Sequence, residues 1–318
     1  MFLLLVILVY CSSPVNSFLF PIVYLDRLYN YTPPENEVTF FLYHRSNPTK
    51  ENQIFIGDKE SIHRSRFEPE LPTRIIIHGW THGKNVPAFV EMREVMARAH
   101  LGNVILVDWA PLSHVIYVEA RVHNVVVAKQ VTNLLLFLRE YTNIRMSSVH
   151  LIGHSMGAQI AAMTGNRIKT QINQMIGRIS GLDPAAPLFE WPHIESLDDV
   201  LDPSDALFVD VIHTNGRHLG MITPAGHVDY YPNGGVCSHS KALDYWIASI
   251  RKPNLFKAYA YKSWDEYVKG RAGNLKSYPM GIAANPDIPH GIYFVKTDQN
   301  VEKYHKTKTT MKDSLIKY

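Results

Sequence analysis

Apolar positions in this chain fall into short continuous runs that alternate with longer stretches of helical period. Val149-His150-Leu151-Ile152 is a mostly apolar run with β-branched residues that stops at Gly153, and the residues after Ser155 (Met156-Gly157-Ala158-Gln159-Ile160-Ala161-Ala162) read as a helix. Arg74-Ile75-Ile76-Ile77 is a run of the same kind ending in His78-Gly79-Trp80, and Asn103-Val104-Ile105-Leu106-Val107 ends in Asp108-Trp109. Arg178 to Leu182 ends at Asp183-Pro184, and Ala206 to His213 forms a further strand. Helical patterns cover residues 88–100, 117–141, where Val and Leu recur at three and four, and Ser240 to Ile250. Strands that are apolar throughout, alternating with helices, predict an α/β fold with a mostly parallel sheet covered on both faces. In such sheets chemistry gathers at the carboxyl ends of the strands, where His78-Gly79-Trp80, Ser155 and Asp183 all fall. Residues 18–72 are mixed, with a short run Val38 to Tyr43 suggesting strands ahead of the main sheet. No internal repeat, low-complexity linker or second-domain boundary stands out, so residues 18–318 read as one domain.

Composition narrows the function classes. The 318 residues are 46% hydrophobic, 19% charged and 11% aromatic, which supports a large core and excludes disorder. A net charge of +3 is too small to imply nucleic acid, and the 16 histidines show no zinc-type spacing with cysteine. Residues 1–25 carry no charge. Phe2 to Tyr10 is apolar, and Val15-Asn16-Ser17 puts small residues at −3 and −1, which reads as a secretory signal at 1–17 cleaved after Ser17. It lacks a basic residue before the apolar core; the competing reading, an uncleaved anchor, has too short an apolar run to span ~20 residues of bilayer. No transmembrane segment is expected elsewhere. Cys11 lies in the signal, which leaves Cys237 as the single thiol of the mature chain. Asn30-Tyr31-Thr32 is a glycosylation sequon.

Gly153-His154-Ser155-Met156-Gly157 fits G-x-S-x-G, with the strand before and helix after that this motif requires. Glycines without Cβ let strand and helix approach around a sharp turn that pushes the Ser155 hydroxyl outward. A serine hydroxyl needs a base, and the base needs a carboxylate to orient it. Asp183 follows the next strand, as the order Ser, Asp, His predicts. Downstream, His193, His213, His218, His227, His239, His290 and His305 are open as the base. His239, in a glycine-rich turn directly before a helix, is the best placed. An oxyanion hole needs two backbone N–H donors: Met156, just after the nucleophile, and Trp80 in the loop after the early strand.

At these residues the chain resembles the neutral lipase family of pancreatic lipase, in particular its shorter arthropod members and the phospholipases A1. The resemblance rests on Ile75 to Trp80, Asn103 to Trp109, Gly153 to Ala158 and Gly181-Leu182-Asp183-Pro184-Ala185-Ala186-Pro187. It extends through Asp202 to Thr214, Asp229 to Gly235 and Cys237-Ser238-His239. It implies an α/β-hydrolase fold, with Ser155 as nucleophile, Asp183 as orienter, His239 as base and acid, and Trp80 and Met156 as the oxyanion pair. A lipid ester at a membrane or micelle surface is the implied substrate, no cofactor is expected to be required, and the C-terminal β-sandwich of the larger lipases is not expected. Two departures matter. The lid between Pro-Asn-Gly-Gly and the histidine is gone, since Val236 alone separates Gly235 from Cys237. A further cysteine pair is absent around Lys262-Ser263-Trp264 and Gly270-Arg271-Ala272. Cys237 therefore reads as a buried leftover thiol. Asp202 and Asp205 stand where vertebrate members hold a structural calcium, but two carboxylates alone read better as a capping turn. The lysines at 303, 306, 308, 312 and 317 read as a solvated tail rather than a lipid or glycan contact. The expected function is a secreted carboxylic ester hydrolase of lipase or phospholipase A1 type. The other class weighed is a non-catalytic lipid-binding or yolk-like protein on the same fold, which the intact Ser, Asp and His argue against.

Overall fold

A computed structural model describes residues 37–191, 200–270, 275–297 and 301. The expectations for the 1–17 signal, Asn30, His193, His305 and the lysines at 303–317 lie outside these residues. In chain order the strands are β1 (Thr39–Tyr43), β2 (Asn52–Ile54), β3 (Thr73–Ile77), β4 (Asn103–Asp108), β5 (Val149–His154) and β6 (Arg178–Leu182). Then follow β7 (Val209–Ile212), β8 (Val228–Pro232), β9 (Lys257–Ala260), β10 (Tyr278–Pro279) and β11 (Gly291–Val295). The helices are α1 (Lys59–Ser65), α2 (Pro87–Arg98), α3 (Ala110–Ser113), α4 (Tyr117–Thr142), α5 (Met156–Ile172), α6 (Lys241–Arg251) and α7 (Trp264–Val268).

The strands join in one sheet, in the order β10-β9-β11-β8-β7-β6-β5-β3-β4-β1-β2. From β4 through β11 by way of β3, β5, β6, β7 and β8 every pairing is parallel; β1, β2, β9 and β10 add antiparallel edges. Alternate side chains explain the continuous apolar runs. Ile75, Ile77 and Leu151 enter a core with α4 and α5 on one face, and Ile76, Ile152 and Leu182 enter a second core with α2 and α6 on the other. The predicted strand Ala206 to His213 is shorter than expected. Chain enters through a tight turn at Pro203–Asp205, and ladder pairing with β6 begins only at Ile179↔Val209. No helix of the described residues is long and apolar enough to cross a membrane.

Register aligns the carboxyl ends. Ile77 pairs with Gly153, Gly153 with Gly181, and Leu182 with Ile212. The residues just beyond them, among them Ser155, Asp183 and His213, therefore emerge on one edge of the sheet.

Candidate active site

Ser155 joins β5 to α5 with φ 57 and ψ −123, a backbone conformation that L residues avoid and that tight packing must hold. That packing requires the two flanking glycines. A Cβ on Gly153 would lie 2.2 Å from the Gly157 carbonyl oxygen, and one on Gly157 would lie 2.2 Å from that of Ile77. The Ser155 N–H donates to the Leu182 carbonyl at 3.1 Å, tying the elbow to the residue before Asp183.

Asp183 is fully buried and also has positive φ, at 48. Its Oδ1 accepts the backbone N–H groups of Thr214 at 2.6 Å and Asn215 at 2.9 Å. Its Oδ2 faces His239 Nδ1 at 2.6 Å. Of the histidines left open by spacing that lie among the described residues, it is His239 that reaches Asp183. His213 pairs instead with Asp229 at 2.8 Å, and His227 Nδ1 accepts the Val209 N–H at 2.9 Å. An Nδ1–H donated to Asp183 leaves the His239 Nε2 lone pair free to take a proton.

The turn that brings His239 in is tied to the Asp183 arm. Cys237 N–H donates to the Thr214 carbonyl at 2.5 Å, and Asn215 Nδ2 donates to the Cys237 carbonyl at 2.7 Å. Val236, between Gly235 and Cys237, is 75% exposed, and its backbone bridges to Asn215. Cys237 is half-buried rather than buried; its Sγ lies 3.9 Å from the Tyr245 hydroxyl.

The predicted oxyanion loop lies against the elbow. A Cβ on Gly79 would meet the Ser155 Cβ at 2.8 Å, so the backbone just before Trp80 touches the serine. The loop is pinned by His78, whose Nε2 accepts the Trp109 N–H at 3.1 Å, and by Trp109 Nε1, which donates to the His78 carbonyl at 2.9 Å. The Trp80 ring is held by a 2.8 Å bond to the Val115 carbonyl. Among the described residues neither the Trp80 nor the Met156 backbone N–H is engaged by another acceptor.

Two supports escaped the sequence reading. His154, the middle residue of Gly-His-Ser, lies 3.2 Å by its Nε2 from the His239 carbonyl, with ring centroids 4.7 Å apart. Burial pushes His154 well below the ordinary imidazole range, and the neighbouring His239 and His82 push the same way, so it is a neutral donor to that carbonyl. His82 stacks on His154 and is lowered to about 4, by burial first and then by His78 and His239. A histidine inside G-x-S-x-G was the available signal. The second support is Gly220, where a Cβ would lie 2.3 Å from Asp183 Oδ1. Nothing in local sequence announces that contact.

Asp202 and Asp205 form a capping box. Asp202 Oδ1 accepts the Ser204 N–H at 2.6 Å, and Asp205 Oδ2 accepts the Asp202 N–H at 2.9 Å. This is the capping geometry anticipated for the pair.

A family model described as Lipase matches residues 23–236. Pancreatic lipase-related protein 2 of Bos taurus is 33% identical over 299 residues, which cover 83% of this chain and 61% of that protein. Pancreatic triacylglycerol lipase of Cavia porcellus is 31% identical over 310 residues, covering 86% of this chain and 64% of that protein. The chain thus spans less than two thirds of the length of these curated relatives. Among solved structures a fainter likeness is to Est1E from Butyrivibrio proteoclasticus, with 14% identity over 65% of this chain and 79% of that one and a TM-score of 0.32. The family match covers more than half of the chain, over the stretch that holds the parallel strands β3 to β8 and the serine elbow: the fold is the α/β-hydrolase fold, and the chain belongs to the lipase family.

Proposed function

We propose that the protein is a secreted hydrolase of carboxylic esters in lipids, acting through Ser155, Asp183 and His239. The observation that carries this reading is the strained Ser155 elbow on the same sheet edge as the 2.6 Å contact between His239 and Asp183. His239 Nε2 takes the Ser155 hydroxyl proton as Oγ attacks the ester carbonyl carbon. The resulting oxyanion accepts hydrogen bonds from the Trp80 and Met156 N–H groups, each worth ~3–4 kcal/mol in the transition state. The imidazolium, steadied by Asp183, gives its proton to the leaving alcohol, and an acyl ester on Ser155 remains. Water repeats the sequence and releases the fatty acid. No cofactor enters these steps. Secretion rests on residues 1–17 as a cleaved signal, and residues 18–318 form one catalytic domain in this reading.

The short link from Gly235 to His239 supports a finer expectation. With no lid to shut the acyl groove, polar head groups meet little obstruction, so phospholipids, galactolipids and neutral glycerides are all eligible substrates. The test is a panel of triacylglycerol, phosphatidylcholine, galactolipid and short-chain ester, each followed across its critical micelle concentration. Hydrolysis with no jump in rate at that threshold is expected. A rate that rises only above it would contradict the open groove. Binding of these lipids with no hydrolysis of any would favour a carrier instead.

A further inference from the structure

A second histidine–carboxylate pair stands behind Asp183, unused by the steps above. His213 is fully buried and Asp229 is 2% exposed. His213 Nε2 lies 2.8 Å from Asp229 Oδ1, and Nδ1 lies 2.8 Å from the Met221 carbonyl oxygen. A neutral imidazole has one N–H and can serve only one of two acceptors; an imidazolium serves both. Asp229 Oδ1 already accepts the Ala225 N–H at 2.8 Å, and Oδ2 the Gly226 N–H at 3.1 Å, the setting of an ionised carboxylate. The other groups around the ring are the Tyr231 phenol, stacked flat at 4.4 Å and held neutral by burial, and Asp183 beside the end of β7. Burial alone would push His213 down. The Asp229 hydrogen bond and charge outweigh it, with Met221 and Asp183 adding to them, and hold the imidazolium above its ordinary value.

This pair grips Asp183 from two sides. The next two residues after His213 donate their N–H groups to Asp183 Oδ1. Met221, which His213 holds, follows Gly220, whose backbone presses on the Asp183 carboxylate, and the Met221 N–H donates to the Pro184 carbonyl at 2.8 Å. We infer that His213 and Asp229 form a buried imidazolium–carboxylate clamp that positions Asp183, and through it His239. The inference rests on the Ser155, Asp183 and His239 reading above; His213 is a positioning residue and touches no substrate.

The test uses full-length protein labelled with 15N-histidine. Ring spectra should show His213, assigned by its loss in His213→Gln, with two ring N–H protons at pH 7 and above. A neutral His213 overturns the clamp. In Asp229→Asn, kcat on a short-chain ester should fall about tenfold or more with KM within about twofold, and the His239 Nδ1–H resonance should move. An unchanged kcat overturns the proposal, as does a lost kcat with an unmoved His239 signal. If Asp229→Asn fails to fold, the wild-type spectrum still decides the charge of His213. Ser155→Ala separates the two readings: retained hydrolysis there refutes the triad and leaves the His213 spectrum untouched.

Discussion

At the scale of single residues, the site is built from backbone strain and close approach more than from side-chain contacts. Ser155 and Asp183 both sit at positive φ, and each is held there by neighbours that tolerate no added atom. Gly220 is the sharpest case. In Gly220→Ala the new methyl would overlap Asp183 Oδ1, so the carboxylate must turn away from Thr214 N–H, Asn215 N–H or His239. Turnover should fall on the order of a hundredfold or more, since a misplaced carboxylate loses the tautomer it selects. Steady-state kinetics beside a circular dichroism spectrum checks this; a folded variant with near-normal kcat would show that Asp183 does not hold His239. Ser155 and Asp183 stood out as candidates through a five-residue motif and a chain order. His239 was one of seven histidines by spacing and was favoured by its turn before a helix and by the family resemblance; its 2.6 Å approach to Asp183 is a long-range contact. Gly220, His154 and the Asp229 partner of His213 were not legible, because each meets its partner through long-range contact that local pattern does not encode.

At the scale of elements, the central sheet was readable and its margins were not. Strands β3 and β4 are buried on both faces and appear as unbroken apolar runs, Ile75 to Ile77 and Val104 to Val107, whereas β5 and β6 are equally buried but interrupted by His150, Ser180 and Gly181. Helix α4, predicted at 117–141, spans Tyr117–Thr142 and stops where Asn143 turns left-handed at φ 61. Strands β2 and β10 have only three and two residues, too few to show a period. Strand β9 is exposed at both ends, and its neighbour β11 is made a strand by parallel pairing with β8. The predicted 206–213 strand lost its first residues because apolar character alone does not reveal where a neighbour starts to pair. The short link from Gly235 to His239 belongs to this scale too. Asn215 stitches that short turn to the Asp183 arm, donating its side-chain amide to the Cys237 carbonyl and its backbone N–H to Asp183.

At the scale of the whole molecule, buried imidazoles make stability depend on pH from both sides. Burial lowers His82, His150 and His154. In the folded state they stay neutral, whereas the unfolded chain takes up protons below pH about 6.5, so the unfolded state binds more protons in that window. Their contribution is complete above about 6.5 and is lost as pH falls, for His82 toward its folded value of about 4. His213 has the opposite sign: its raised value gives stability that is full below about 6.5 and is lost as pH rises through the folded value. Thermal melts from pH 7.5 down to 4.5 should show Tm falling steadily on the acid side, and less steeply in His82→Phe. A flat Tm across that range would contradict the buried neutral column. The central claim concerns one atom, the Ser155 Oγ, and a p-nitrophenyl alkylphosphonate ester tests it most directly. Attack by an activated serine expels p-nitrophenolate and leaves a stable phosphonyl ester. Mass spectrometry should find one adduct, on the peptide carrying Ser155, formed in step with the loss of ester hydrolysis and absent from Ser155→Ala. Hydrolysis that survives with Ser155 unlabelled, or an adduct on another residue that tracks the loss, would contradict it.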